Sequence, residues 1–81
     1  MTSTEKDMQK YAIRISKNLR LLMANERVIK GTELAEKSGV SPTTISQIRN
    51  DYQGKLRPDY STLVGLATGL DVDLVDLLKE A

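Results

Sequence analysis

The 81-residue sequence contains no cysteine, histidine, phenylalanine or tryptophan. The lack of cysteine and histidine removes the soft metal ligands, the thiol nucleophile and the commonest general base. Asp71, Asp73 and Asp76 do not form a magnesium-binding cluster near the basic part of the chain, because they lie close to its end. We therefore expect a protein that is not an enzyme and that needs no metal or cofactor.

Long apolar runs are also missing. No run approaches the roughly 20 residues that span a bilayer, and the first ten residues, MTSTEKDMQK, lack the apolar stretch of a signal peptide. Hydrophobic residues still make up 40% of the chain, which is ample for one globular domain, and the length is too small for two. These features predict a cytoplasmic protein with no membrane partner.

Charge is distributed unevenly although the net charge is only +1. Residues 1–57 hold 11 of the 12 lysines and arginines, against six of the 11 acidic residues. Residues 58–81 hold the one remaining basic residue and five acidic ones. A basic body with an acidic end suits a domain that turns one face towards a polyanion and another face away from it.

Helical periodicity runs through the chain, and no segment alternates apolar and polar residues as a strand does. We predict an all-α domain of five helices, with residues 1–9 as a flexible or helical arm and residues 10–81 as the domain. The first helix is expected from about residue 5 or 10 to Asn25, capped by Ser3 or Thr4. Its apolar face consists of Met8, Tyr11, Ala12, Ile15, Leu19, Leu22 and Met23.

The remaining helices follow from cap and turn signals. The second covers about residues 32–38 and ends at Gly39, and the third runs from Ser41-Pro42 to about residue 50. Residues 51–57 form a loop, and the fourth helix begins at Pro58-Asp59, where its amino-terminal amides favour an anion. Asp73 is expected to cap the last helix. The predicted inward residues of these two helices are Tyr60, Leu63, Leu66, Ala67, Leu70, Leu74, Leu77 and Leu78.

The segment 31–50, GTELAEKSGVSPTTISQIRN, has the spacing of two helices joined by a tight turn. Ala35 provides the small residue at the helix crossing, Gly39 the turn and Val40 the apolar plug. Ile45 and Ile48, three residues apart, anchor the second of these helices to the core. This pattern predicts a helix-turn-helix.

The opposite face of the third helix is polar. Thr43, Ser46, Gln47 and Asn50 lie within about 100° of one another on that face, and their side chains can both donate and accept hydrogen bonds. Such groups suit base edges in the major groove, where glutamine pairs with adenine and the threonine methyl contacts thymine. Outside a helix-turn-helix, the same residues would be read as an ordinary solvated face.

Two blocks of the sequence resemble the Cro and phage-repressor family of lambda repressor-like helix-turn-helix proteins. The first is ELAEKSGVSPTTISQIRN and the second is RPDYSTLVGLATGLDVDLVDLL, and together they extend the resemblance over about residues 12–79. It implies a compact five-helix domain that binds a palindromic DNA operator as a dimer, with the third helix in the major groove. It further implies a transcriptional repressor or regulator encoded by a phage or another mobile element.

The resemblance also assigns residues by position. With Ser46 from the polar face, the implied base contacts are Thr43, Thr44, Ser46 and Gln47. The implied phosphate contacts, which position the protein without specifying sequence, are Asn50, Lys55 and Arg57.

In three places the chain departs from the family pattern. The family's usual glutamine at the start of the second helix is Gly31 here, so Lys30 or Thr32 is the candidate for that phosphate contact. Arg20 and Arg49 are both basic where the family pairs an arginine with a glutamate, so Arg49 serves either a phosphate or Glu26. The loop 51–57 is about three residues longer than usual, and its Tyr52, Gln53 and Lys55 either reach the DNA backbone or are solvated.

The last helix carries more apolar residues than one inward stripe needs. Val75 points away from Leu74 and Leu77, so we expect Val75 and the edge of Leu78 to form a homodimer interface. An alternative function is an antitoxin or adaptor that uses the same fold mainly to bind a protein, such as a toxin or an antirepressor. Ile13 and Leu21, which lie on the basic face of the first helix, favour that alternative, and so does Val75.

Overall fold

The computed structural model describes residues 3–24 and 29–80, which form five α-helices and no strand. The helices are α1 (Ser3–Met23), α2 (Gly31–Ser38), α3 (Pro42–Arg49), α4 (Tyr60–Leu70) and α5 (Val75–Leu78). The predicted all-α fold of five helices is therefore confirmed. In these two described stretches, every helix is too short or too polar to cross a bilayer.

Helix α1 begins earlier than predicted. Ser3 and Thr4 lie inside its first turn instead of capping it, and the helix ends at Met23. The early start agrees with the composition of residues 3–10, which lack glycine and proline and place Glu5 in the first turn, where the helix dipole favours a negative charge. Asn25, the expected last residue, lies outside the described residues, and the division of the chain at residue 10 stays a prediction.

One hydrophobic core joins all five helices. Its fully buried members include Leu19, Leu34, Ile45, Leu66 and Leu77, one from each helix. Met8 and Tyr11, which the periodicity assigned to the buried face of α1, are exposed instead. These two side chains line an open apolar groove beside Leu63 and Leu78 and are not covered by a neighbouring helix.

Helices α2 and α4 cross at two glycines that the sequence reading missed. A Cβ atom on Gly69 would lie 2.9 Å from Leu34 Cδ1 and 3.1 Å from the backbone nitrogen of Ser38. A Cβ atom on Gly65 would lie 2.8 Å from the carbonyl oxygen of Ser38. The missing side chains allow the close approach of the two backbones, and the available signal was the four-residue spacing of these glycines in an apolar helix.

Both ends of α4 are fixed by aspartates. The side chain of Asp59 accepts a hydrogen bond from the Thr62 amide at 2.8 Å, and Asp71 ends the helix in the left-handed conformation with φ of 58°. Tyr60 was expected in the core but is 74% exposed. It occupies the first turn of α4, ahead of the residues that cross α2.

The predicted cap of α5 is wrong. Leu74 occupies the N-cap position and makes no side-chain cap bond, whereas Asp76 accepts a hydrogen bond from the Asp73 amide at 3.1 Å. The carboxylate that satisfies this backbone donor therefore comes from inside the helix. Leu77 is fully buried and Val75 is 60% exposed, as the pattern predicts.

Candidate nucleic-acid interface

The turn between α2 and α3 has the geometry that the sequence predicts. Gly39 ends α2 in the left-handed conformation with φ of 74°, which glycine adopts without a Cβ clash. Ser41 then caps α3 by accepting a hydrogen bond from the Thr44 amide at 3.1 Å, and Pro42 stands in the first turn. Because Ile45 and Ile48 are buried, the opposite face of α3 turns towards solvent.

The outward face of α3 carries the predicted base-reading side chains. Thr43, Ser46 and Gln47 are exposed. Thr44 is half-buried, and its hydroxyl oxygen accepts a hydrogen bond from the Ser41 hydroxyl at 2.9 Å. Asn50 is exposed, but its side-chain nitrogen Nδ2 donates a hydrogen bond to the backbone carbonyl oxygen of Ser46 at 2.9 Å. Thr43, Ser46 and Gln47 are thus exposed on this face, whereas the Thr44 and Asn50 side chains are engaged in hydrogen bonds within the protein.

A basic residue flanks this face where α4 begins. Arg57 shares a shallow groove with Thr44, Gln47 and Thr62, so the structure brings the amino end of α4 beside the middle of α3. The Arg57 Nη1 atom donates to the carbonyl oxygens of Gly54 and Leu56, at 2.7 and 2.8 Å. These bonds hold the guanidinium group against the backbone of the loop, and Arg57 also lines a groove with Met8 and Gln9 of α1.

The other predicted phosphate residues lie around α3. Thr32 shares a groove with Ser41 and Pro42 at the amino end of α3, and Lys30 is exposed at the amino end of α2. Lys55 is exposed and lines a groove with Arg57. Cationic or hydroxyl groups therefore stand beside the amino end and the middle of α3.

The amino end of α4 already holds an anion. Asp59 caps it, and hydrogen bonds from the Thr62 side chain and amide and from Ser61 lower the pKa of the Asp59 carboxyl. The anion that the amino-terminal amides of this helix were expected to favour is thus the carboxylate of Asp59 itself. The basic side chains exposed next to this helix end are those of Lys55 and Arg57.

The long loop 51–57 folds back onto α1. The Asp51 carboxylate accepts hydrogen bonds from the amides of Lys55 and Leu56, at 2.8 and 3.0 Å. Gly54 is buried with φ of 69°, and a Cβ atom there would lie 2.6 Å from the carbonyl oxygen of Gln9. This packing explains why the exposed face of α1 carries Ile13, whose Cγ1 atom would lie 2.8 Å from the same Cβ.

The carboxyl end of α3 is joined to α1 through the backbone of Arg49. The Arg49 carbonyl oxygen accepts hydrogen bonds from Arg20 Nη1 at 2.6 Å and from Ser16 Oγ at 3.1 Å. Arg20 thus contacts the backbone of Arg49 in place of the family's ion pair, and the Arg49 side chain is exposed. Its alternative partner, Glu26, lies outside the described residues. The buried hydroxyl of Ser16 gave no signal in the sequence reading.

A short helix with a polar outward face, presented by a tight turn and flanked by cationic side chains, defines a helix-turn-helix DNA-binding domain. A family model described as helix-turn-helix, of the Cro/CI type, matches residues 11–77. The chain belongs to this family and is a DNA-binding transcription regulator of the Cro/CI type. The family is a regulatory and typically non-enzymatic one that binds double-stranded DNA. Comparison with curated proteins and with solved structures gives no match.

Proposed function

We propose that this regulator is a repressor, of the kind encoded by a phage or another mobile element, that covers a palindromic operator as a homodimer. The observation that carries the proposal is the outward face of α3, where exposed Thr43, Ser46 and Gln47 stand opposite the buried Ile45 and Ile48. A helix anchored in this way can enter the major groove. Occupancy of a promoter-proximal site blocks RNA polymerase without any chemistry.

The proposed contacts divide into two groups with different effects. Base edges are read by Thr43, Thr44, Ser46 and Gln47. Phosphates are held by Lys30, Thr32, Arg49, Asn50, Lys55 and Arg57. Phosphate contacts determine affinity and register for every sequence, whereas base contacts determine the preference for one operator.

The operator is tested by selecting bound sequences from a random duplex pool and measuring the mass of the complex. Gln47→Ala is then expected to cost about 1–3 kcal/mol of discrimination at one base pair, because its amide is the central exposed group of the face. Binding to unrelated DNA should hardly change. Thr68→Ala, exposed near the far end of α4, is the matched control. Equal losses on selected and unrelated DNA would refute base reading by Gln47.

The proposed dimer rests on α5. Val75 is 60% exposed in a four-residue helix, and Leu78 is half-buried beside it. One domain touches only a half-site of a few base pairs, so useful occupancy favours two copies about one helical turn apart. A symmetric contact through Val75 and the edge of Leu78 would be small, so we expect pairing that is weak in free solution and completed on DNA.

Val75→Glu tests this interface, because a buried unpaired carboxylate opposes association. The variant should keep the circular dichroism of the wild type and bind a single half-site normally, but it should lose cooperative binding to the full operator. Val64→Glu, at an exposed valine of α4, should retain cooperativity. If two Val75→Glu subunits still bind the full operator with wild-type affinity, the dimer contact lies elsewhere.

A second candidate function is an antitoxin or adaptor that mainly binds a protein. Leu21 favours it, because this side chain is 53% exposed on α1. The random-pool selection bears on the two functions, because a protein in which DNA binding is secondary should recover a weaker consensus half-site than a repressor does. Recovery of a palindromic consensus supports the repressor.

A further inference from the structure

The carboxyl end of α3 is closed by a four-residue cluster of Ser16, Arg20, Arg49 and Tyr52. Arg20 Nη1 donates to the Arg49 carbonyl oxygen and to Ser16 Oγ, both at 2.6 Å. Ser16 is fully buried and donates to the same carbonyl oxygen at 3.1 Å. The ring of Tyr52 covers the guanidinium group, with the Arg20 Cζ atom 4.2 Å from the ring centroid. One carbonyl oxygen of α3 therefore receives two donors from α1, and one of these donors is held in place by an aromatic ring.

The chemistry of this cluster suits the end of a helix. The last carbonyl groups of a helix lack partners inside it and carry partial negative charge, so a guanidinium group is favourable there. An aromatic face attracts the same cation and restricts its motion. Helix α3 has only eight residues, so a shift of its carboxyl end would also move Gln47, two residues before Arg49.

Tyr52 is presented to Arg20 by an ordered turn. The Asp51 amide donates to the Ile48 carbonyl oxygen at 3.2 Å, and the Tyr52 amide donates to that of Asn50 at 3.0 Å. The Asp51 carboxylate in turn holds the amides of Lys55 and Leu56. The ring thus belongs to the turn that ends α3, although Arg20 belongs to α1.

We propose that Arg20 and Tyr52 are positioning residues, which set the orientation of α3 in the DNA groove through the Arg49 carbonyl without touching DNA. This inference rests on the proposed function, in which the outward face of α3 reads bases. Tyr52 would then contribute to operator selectivity, although it lies in the loop and outside the base-reading face.

Tyr11 provides a control within the same chain. Its ring also lies near cations, at 5.1 Å from Lys10 Nζ and 5.2 Å from Arg14 Cζ. All three residues belong to α1, so this aromatic pairing does not bridge to α3. If the pairing itself mattered, Tyr11 and Tyr52 would behave alike, but a positioning role predicts an effect for Tyr52 alone.

The test compares the wild type with Tyr52→Leu, Tyr52→Phe and Tyr11→Leu on the selected operator and on unrelated DNA. Tyr52→Leu should weaken operator binding about three- to tenfold, in line with a cation–π contact, and leave unrelated DNA unchanged. Tyr52→Phe keeps the ring and should restore binding to within about twofold, and Tyr11→Leu should match the wild type. Hydrogen exchange at the amides of Asn50 and Asp51 should accelerate in Tyr52→Leu alone.

Salt dependence separates positioning from direct contact. The log–log slope of affinity against salt should be unchanged in Tyr52→Leu and should fall by about one unit in Lys55→Ala if Lys55 holds a phosphate. A lower slope in Tyr52→Leu, or a Tyr52→Phe variant as weak as Tyr52→Leu, would show that Tyr52 touches DNA and would overturn the inference. Wild-type affinity in Tyr52→Leu would overturn it as well, with the proposed function intact. A wild type without sequence preference would overturn both.

Discussion

Helices α3 and α5 are both short, and both are tied at their carboxyl ends to polar side chains of α1. The Arg49 carbonyl oxygen of α3 is held by Ser16 and Arg20. The carbonyl oxygens of Leu77 and Lys79 at the end of α5 accept hydrogen bonds from the side-chain nitrogen Nδ2 of Asn18, at 2.9 and 2.8 Å. Helix α1 therefore serves as a common anchor, with one polar edge for each short helix.

The two helices differ at their amino ends. Helix α3 is preceded by Gly39 in the left-handed conformation and is capped by Ser41, with Pro42 in its first turn. Helix α5 has no side-chain bond from its N-cap residue, and Asp76 supplies the carboxylate from within. The start of α3 is thus fixed by local signals, whereas α5 depends on the burial of Leu77 and on Asn18.

The largest difference in stability is expected between the hydrogen bonds that join α5 to α1 and those that join α3 to α1. Asn18→Ala removes the donor to two carbonyl oxygens and should lower the free energy of unfolding by about 2–3 kcal/mol. Ser16→Ala should cost only about 1 kcal/mol, because Arg20 still donates to the Arg49 carbonyl oxygen. Urea unfolding measures both. An equal loss of unfolding free energy in the two variants would mean that Arg20 does not compensate for the missing Ser16 hydroxyl.

A smaller effect is expected at the amino end of α3. Ser41→Ala removes the side chain that accepts from the Thr44 amide and should destabilise the protein by about 1 kcal/mol. Ser46→Ala, an exposed serine within the same helix, should change stability by less than about 0.5 kcal/mol. If the two substitutions have the same effect on the thermal midpoint, the cap does not fix the start of α3.

The smallest effect concerns acid stability at α5. Hydrogen bonds from the Lys79 side chain and the Asp73 amide lower the pKa of the Asp76 carboxyl below its ordinary value of 3.8. This stabilisation is fully present above pH 3.8 and is lost as the pH falls through the lowered pKa of the folded state. Asp76→Asn should therefore show a weaker loss of stability in acid than the wild type. Identical profiles of unfolding free energy between pH 2 and pH 5 would contradict this.

The sequence predicted the central motif well because its signals are local. Gly39, Ser41 and Pro42 each act on residues within four positions of themselves, and buried Ile45 and Ile48 define the outward face of α3 by helix geometry alone. The predicted site residues Arg57 and Thr44 are brought into one groove with Gln47. Their roles on DNA stay predictions.

Contacts between distant elements were not predictable in the same way. Periodicity shows which residues share a face but not how far another helix covers that face, so Met8, Tyr11 and Tyr60 were placed in the core although they are exposed. The two side chains that donate to the Arg49 carbonyl oxygen, Arg20 and Ser16, lie 29 and 33 residues away from it in the chain. No spacing rule within one helix connects such positions.

The amino-acid sequence by itself determined that the chain is all-helical, where α3 begins and which polar face α3 presents, because caps, glycine conformation and the 3.6-residue period act over a few neighbouring residues. The tertiary structure alone decided how α3 is held. It decided that Gly65 and Gly69 let α2 approach α4, and that Arg20 reaches a backbone carbonyl instead of a carboxylate. It also decided that the ring of Tyr52, in the long loop, lies over the guanidinium group of that arginine. Such contacts depend on the packing of whole helices, whose relative positions no local pattern in the chain specifies.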